Sequence, residues 1–163
     1  MKIIEIKNLH KVYTDNSVSV NAVNGVDLSF EEGEFTAIVG PSGSGKTTLL
    51  NIIGGLDDAT EGTVTIDNVL INQLSASKLT DFRMKNIGFV FQAYNLIPVL
   101  TARENVEFIM YLQGSNKKAR EARTTELLQA VGLGDMMDRR PSKLSGGQQQ
   151  RVAVARALAS KPK

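Results

Sequence analysis

Phe35-Thr36-Ala37-Ile38-Val39-Gly40-Pro41-Ser42-Gly43-Ser44-Gly45-Lys46-Thr47-Thr48-Leu49-Leu50-Asn51-Ile52-Ile53 is the stretch on which the fold turns. A short apolar run, 35–39, suits a buried parallel strand. Glycines then break it, and 46–53 carries the apolar content of a helix, which Gly54-Gly55 ends. Residues 40–48 match the pattern G-x-x-x-x-G-K-[ST] between a strand and a helix. The residue types follow from the chemistry of a triphosphate, which concentrates negative charge in a small volume. Glycines let successive backbone N–H groups point inward, and the helix that follows presents its positive end. Lys46 reaches the β- and γ-phosphates, and the Thr47 hydroxyl is a ligand for Mg²⁺. The expected ligand is ATP or GTP.

Working outward, the chain before residue 92 reads mainly as strands. Residues 3–9, 18–23 and 26–30 are short strand candidates, and Val26, Leu28 and Phe30 alternate with Asp27 and Ser29. Glu31-Glu32-Gly33 is a turn, 63–66 and 69–71 form a hairpin around Asp67-Asn68, and 87–91 is a second buried strand. After residue 92 the periodicity becomes helical. Thr101 and Glu104 form a capping box ahead of Val106, Ile109 and Met110. A helix follows over 117–131, ended by Gly132, and a last one spans about 148–159. The expected division is 1–92 as a β-subdomain with the phosphate-loop core, 93–145 as a helical subdomain, and 146–163 as a helix returning to the core.

Composition narrows the function classes. The chain has 163 residues, with 42% apolar and 22% charged side chains, which fits one globular domain with a sizeable core. A net charge of +2, spread along the chain, argues against nucleic acid as a partner. There is no cysteine, so disulfides and thiolate metal sites are excluded. The single histidine, His10, is expected at a strand end or on the surface. The longest nearly apolar stretch, 49–56, is far below the ~20 residues that span a bilayer. Asp57-Asp58 reads as a solvated loop.

The segment that separates this chain from other phosphate-loop proteins is Leu144-Ser145-Gly146-Gly147-Gln148, continuing into Gln149-Gln150-Arg151-Val152-Ala153-Val154-Ala155-Arg156. Ser145 is a good N-cap, and two glycines expose backbone N–H groups at a helix start. This resembles the signature motif of the ATP-binding cassette family. The wording of 89–106, Phe-Val-Phe-Gln-Ala-Tyr-Asn-Leu-Ile-Pro-Val-Leu-Thr-Ala-Arg-Glu-Asn-Val, is similar to the bacterial macrolide-exporter and lipoprotein-release group. The resemblance implies an α/β fold of the P-loop NTPase type, with an antiparallel β-subdomain and a helical subdomain. It implies ATP with Mg²⁺, held by Gly40, Pro41, Ser42, Gly43, Ser44, Gly45, Lys46, Thr47 and Thr48.

It also implies roles for residues outside the loop. Gln92 looks like the family glutamine that meets Mg²⁺ and the transport partner. Tyr13 resembles the aromatic residue that stacks on adenine, although a core tyrosine would read the same way. Leu144, Ser145, Gly146, Gly147 and Gln148 would cover the ATP of a second cassette in a head-to-tail dimer. The expected partner is a membrane permease, which would place the chain on the cytoplasmic face of the plasma membrane. The apolar run Tyr94-Asn95-Leu96-Ile97-Pro98-Val99-Leu100 is expected to face that partner.

The family pattern continues with a strand ending in Asp-Glu, a further aspartate loop and a histidine, and none lies within 1–163. The expectation is therefore a truncated cassette, lacking the C-terminal part of its core and unable to hydrolyse ATP by itself. Two other readings stay open: a non-transport cassette that regulates a membrane partner, and a nucleotide-binding fragment without catalysis.

Overall fold

A computed structural model describes residues 1–15 and 18–162; residues 16, 17 and 163, the last closing the segment 146–163, lie outside it. The chain divides into two compact units, Met1–Leu79 and Thr80–Lys163.

The first unit is built on a long hairpin. Strand β1 (Lys2–Asp15) pairs antiparallel with β2 (Val18–Glu31) on one edge and with β3 (Glu61–Ile66) on the other. The short β4 (Val69–Leu70) completes the order β2-β1-β3-β4. The three strand candidates in 3–30 are thus two continuous strands. The interruption read near 24–25 is an irregular stretch of the β1–β2 ladder, with Asn8 at φ +45° and Gly25 at φ +64°. His10 lies within β1 rather than at its end, with its Nε2 3.1 Å from Asn8 Oδ1. The β3–β4 turn is the one expected: Asp67 and Asn68 both have positive φ, as a tight two-residue hairpin connection requires. Ile6, Leu9, Val23 and Val64 from the sheet are buried, as are Leu49 and Ile52 of helix α1 (Lys46–Ile53). Full burial of one such side chain contributes about 1.5–3 kcal/mol.

Two expected strands do not form. Residues 35–39 and 87–91 belong to no helix and pair with no strand among the described residues. Phe35 is 98% exposed and Val39 85%. An apolar run sets a preference for burial, whereas a strand is a pairing and needs a neighbour. Phe89 and Phe91 keep the period of a strand, with rings stacked 5.6 Å apart.

Helix α2 (Ala76–Asn86) was not legible, because it has no fully buried residue and its half-buried side mixes the apolar anchors Leu79 and Phe82 with polar residues. In the second unit, α3 (Ala102–Leu112), α4 (Lys117–Ala130) and α5 (Gly146–Ala159) pack on one another. Val106, Met110, Leu127, Leu128, Val152 and Ala155 form their shared core. The capping box at Thr101 and Glu104 is present. Buried Asn105 holds the turn before α3: its Oδ1 accepts from the Ile97 N–H, and its Nδ2 donates to the carbonyls of Ile97, Leu100 and Thr101.

The two glycines before α1 differ in what constrains them. Both have left-handed backbones, Gly43 at φ +79° and Gly45 at φ +83°. A side chain at position 43 would meet open space, whereas one at 45 would run into the backbone carbonyl of Ala22. Gly43→Ala should therefore cost about 1–2 kcal/mol, the left-handed penalty alone. Gly45→Ala should cost a further 1–3 kcal/mol from overpacking. Urea unfolding of the two variants checks this, and equal midpoints would contradict the Ala22 contact.

Candidate functional site

The phosphate loop takes its shape from the order of its residues. Glycines at 40, 43 and 45 let it curl, and Gly45 is the N-cap of α1. No side chain accepts a hydrogen bond from the first-turn N–H groups at that helix end. Lys46 turns back over the loop instead. Its Nζ donates to the carbonyl oxygens of Gly40 (2.8 Å) and Pro41 (2.6 Å) and to Ser44 Oγ (3.2 Å). The ammonium is thus satisfied by oxygen atoms of the loop itself. Replacing these neutral acceptors by phosphate oxygens would set negative charge directly against the ammonium and turn each bond into one between two ionised groups. Beside the loop, a cleft of about 280 Å³ is lined by Asn21, Ala22, Val23, Ser44, Gly45 and Lys46, among others. Thr47 and Ser42 are exposed, and Thr48 is half-buried. The donor set fits a polyphosphate. No group of three or more His, Asp or Glu side chains among the described residues is placed to hold a metal ion, so Mg²⁺ would depend on phosphate oxygens for most of its ligands.

Tyr13 lies near the end of β1 and is 43% exposed, so it is not a core tyrosine. Its hydroxyl donates to Asp57 Oδ2 at 2.5 Å. Lys11 Nζ donates to Asp57 Oδ1 (2.6 Å) and to the Asp58 carbonyl (2.7 Å), and sits 4.8 Å from the Tyr13 ring centroid. Asp57 is therefore a partnered anchor and not a solvated loop carboxylate. Burial pushes its carboxyl up. The hydrogen bonds from Lys11, Tyr13 and the Asp58 N–H, with the Lys11 charge, outweigh burial and leave it below the ordinary aspartate value. Lys11 and Tyr13 stand 46 and 44 positions away in sequence, so no local pattern shows the cluster.

The signature segment begins α5. Ser145 is the N-cap, its Oγ accepting from the Gln148 N–H (3.3 Å) while Gln148 Oε1 accepts from the Ser145 N–H (2.8 Å). Gln148 Nε2 also donates to Met136 Sδ (3.1 Å). Leu144 is buried, and Ser145, Gly146 and Gly147 are exposed. A Cβ at Gly147 would meet nothing within 4 Å, and one at Gly146 would meet only the Tyr94 hydroxyl at 3.7 Å.

Gln92 is exposed in the turn after 87–91. The loop next to it is held in an unusual shape, with Tyr94 at φ +59° and Asn95 at φ +47°. Arg156 of α5 fastens it: Nη2 donates to the Tyr94 carbonyl (2.7 Å) and Nη1 to the Asn95 carbonyl (2.6 Å). Burial lowers the pKa of this guanidinium. Nothing in the sequence marks Arg156 apart from its place beside the apolar positions of α5. In the run 94–100, Val99 is 69% exposed, but Leu96 turns inward against the α3–α4–α5 core, so that run is not wholly bare.

Comparison with known proteins accounts for this combination of a phosphate loop and a capped double-glycine helix start. The family model described as ABC transporter matches residues 23–163. An uncharacterized ABC transporter ATP-binding protein of Thermotoga maritima is 50% identical over 161 residues, covering 99% of this chain and 69% of that protein. The lipoprotein-releasing system ATP-binding protein LolD of Pseudoalteromonas translucida is 46% identical, covering 98% and 69%. Among solved structures, the ATP-binding cassette MJ0796 of Methanocaldococcus jannaschii, described as dimeric, post-hydrolysis and bound to ADP and Pi, superposes with a TM-score of 0.92 at 48% identity. It is covered to 70% by 98% of this chain. The chain belongs to the ATP-binding domain family of ABC transporters and has its P-loop NTPase fold.

Proposed function

We propose that the chain is the ATP-binding motor of a membrane transporter, coupling ATP binding and hydrolysis to export or lipoprotein release by a permease. The observation that carries this reading is the Lys46 ammonium, held on the carbonyls of Gly40 and Pro41 in front of an uncapped helix start. Residues 40–48 bind the triphosphate, Lys46 moving from the loop carbonyls to the β- and γ-phosphate oxygens. Thr47 offers its hydroxyl to Mg²⁺, which when bound neutralises those oxygens. Tyr13 receives the adenine on its ring.

The dimer follows from the signature segment. Gly146 and Gly147 sit at an exposed helix start where little in their own chain requires glycine. A partner's γ-phosphate, approaching the backbone closely, supplies the reason. The similar MJ0796 cassette is described as dimeric, which supports a head-to-tail pair here. No helix among the described residues is long and apolar enough to cross a membrane. Attachment to the inner face of the membrane is therefore assigned to the permease, with the Gln92 loop and exposed Val99 as the docking face.

Lys46→Ala should weaken ATP binding by about tenfold or more, since a hydrogen bond to a charged group is worth roughly 1.5–3 kcal/mol. Titration of a fluorescent ATP analogue reads this, and unchanged affinity would overturn the reading of the loop.

The polypeptide 1–163, taken by itself, should release phosphate from ATP at background rate. Among its acids, Asp57 is tied to Lys11 and Tyr13, and Asp67 sits in the β3–β4 turn. Losing one catalytic contact costs about 10²–10³ in rate. A full-length ABC ATP-binding protein such as MJ0796 is the comparison, and equal turnover by both would place the catalytic groups within 1–163.

A further inference from the structure

Lys11, Tyr13 and Asp57 form a closed cluster that binding of phosphate does not explain. Tyr13 is an exposed aromatic ring at the end of a strand. Such a ring would ordinarily sample several orientations, and ordering it on binding a ligand costs affinity. Here the order is already present. The hydroxyl is held by Asp57 Oδ2 at 2.5 Å, and Lys11, itself bonded to Asp57 Oδ1 at 2.6 Å, lies 4.8 Å from the ring centroid. Asp57 is anchored in turn, its Oδ1 accepting the Asp58 N–H at 2.8 Å. One carboxylate thus fixes both the tilt of the ring and the cation beside it.

We propose that Asp57 is a positioning residue for nucleobase recognition: through the Tyr13 hydroxyl and Lys11 it sets the ring in advance, leaving the face away from Lys11 for the base. This rests on the reading of Tyr13 as the adenine-stacking residue. The physical consequence separates two kinds of tyrosine. Where a ring contributes only stacking, phenylalanine serves equally well, because the π-face is the same. Where the hydroxyl positions the ring, phenylalanine loses the orientation and keeps the face. Lys11 also pairs with the Asp57 carboxylate, so the anchor brings no uncompensated negative charge toward a polyanionic ligand. The depressed carboxyl of Asp57 is consistent with an anchor that stays ionised through the neutral range.

The test compares ATP with inorganic tripolyphosphate, which carries the phosphates without the base, by calorimetric titration of the whole chain. The variants are Tyr13→Phe, Asp57→Ala, the double variant and Tyr13→Ala, with unfolding midpoints as the check on folding. We expect Tyr13→Phe and Asp57→Ala each to weaken ATP by about three- to tenfold, the cost of ordering one side chain. The double variant should bind like either single one, because both remove the same bond, and tripolyphosphate should bind all variants alike. If Tyr13→Ala weakens ATP while Tyr13→Phe and Asp57→Ala bind as the parent does, stacking stands and the role of Asp57 falls. If Tyr13→Ala binds ATP as the parent does, the stacking reading itself falls and takes this inference with it. Parallel loss of tripolyphosphate would show that Asp57 acts on the phosphate loop or the fold, and would equally overturn it.

Discussion

The backbone carbonyl of Ala22 leaves no room for a side chain at position 45, and the start of α1 depends on that contact. Glycine there adopts φ +83°, which turns the chain from the loop into the helix within one residue. Because the N-cap is then a glycine, it has no side chain to fold back over the first-turn N–H groups. Most helices spend a serine, threonine or aspartate on this position, as Thr101 does for α3 and Ser145 for α5. At α1 those donors are left for an acceptor from outside, and Lys46, the first helical residue, reaches back over the same space. The strand β2 is thus part of the site through its main chain, which dictates where the glycine must be, as well as through Asn21 beside the loop.

The second unit solves a different problem, that of holding irregular backbone still. Residues 92–101 contain no helix or strand, and two of them, Tyr94 and Asn95, have left-handed conformations that disfavour side chains. Strained backbone of this kind persists only where its surroundings over-determine it. Two side chains do so here. Asn105 satisfies the N–H and carbonyl of Ile97 together with the carbonyls of Leu100 and Thr101, and Arg156 takes the carbonyls of Tyr94 and Asn95. Both project from helices whose other faces form the shared core, so the loop beside Gln92 inherits its position from the packing of α3 and α5.

What could be read in the sequence was what depends on near neighbours. The capping box at Thr101–Glu104 and the N-cap at Ser145 depend on residues at most three apart, and both are present, the latter closed into a box by Gln148. The loop at 40–48 and the turn at Asp67-Asn68 are equally local. The runs at 35–39 and 87–91 misled because a strand is completed by a partner that a local pattern cannot show. Helix α2 escaped notice for the converse reason: its face is only half-buried, and Arg83 and Asn86 share it with Leu79 and Phe82, so the apolar period is weak. Asp57 was hidden by distance along the chain, since the strand residues it anchors come 46 and 44 positions earlier.

The start of α5 carries one further physical distinction between its residues. Gln148 has two obligations within its own chain, closing the capping box with Ser145 and donating to Met136 Sδ. Ser145 Oγ is likewise engaged with the Gln148 N–H. The side chains of the motif are therefore spent on making the helix begin at Gly146. What that beginning leaves outward is main chain: a first helical turn has N–H groups without intrahelical acceptors, and at 146 and 147 no side chain shields them. A Cβ at 147 would fit within this chain without contact, so packing inside the chain does not explain the glycine. The residue that is free of internal constraint has no side chain, and the polar side chains around it fix where the helix starts, so main chain is what this end of α5 presents outward.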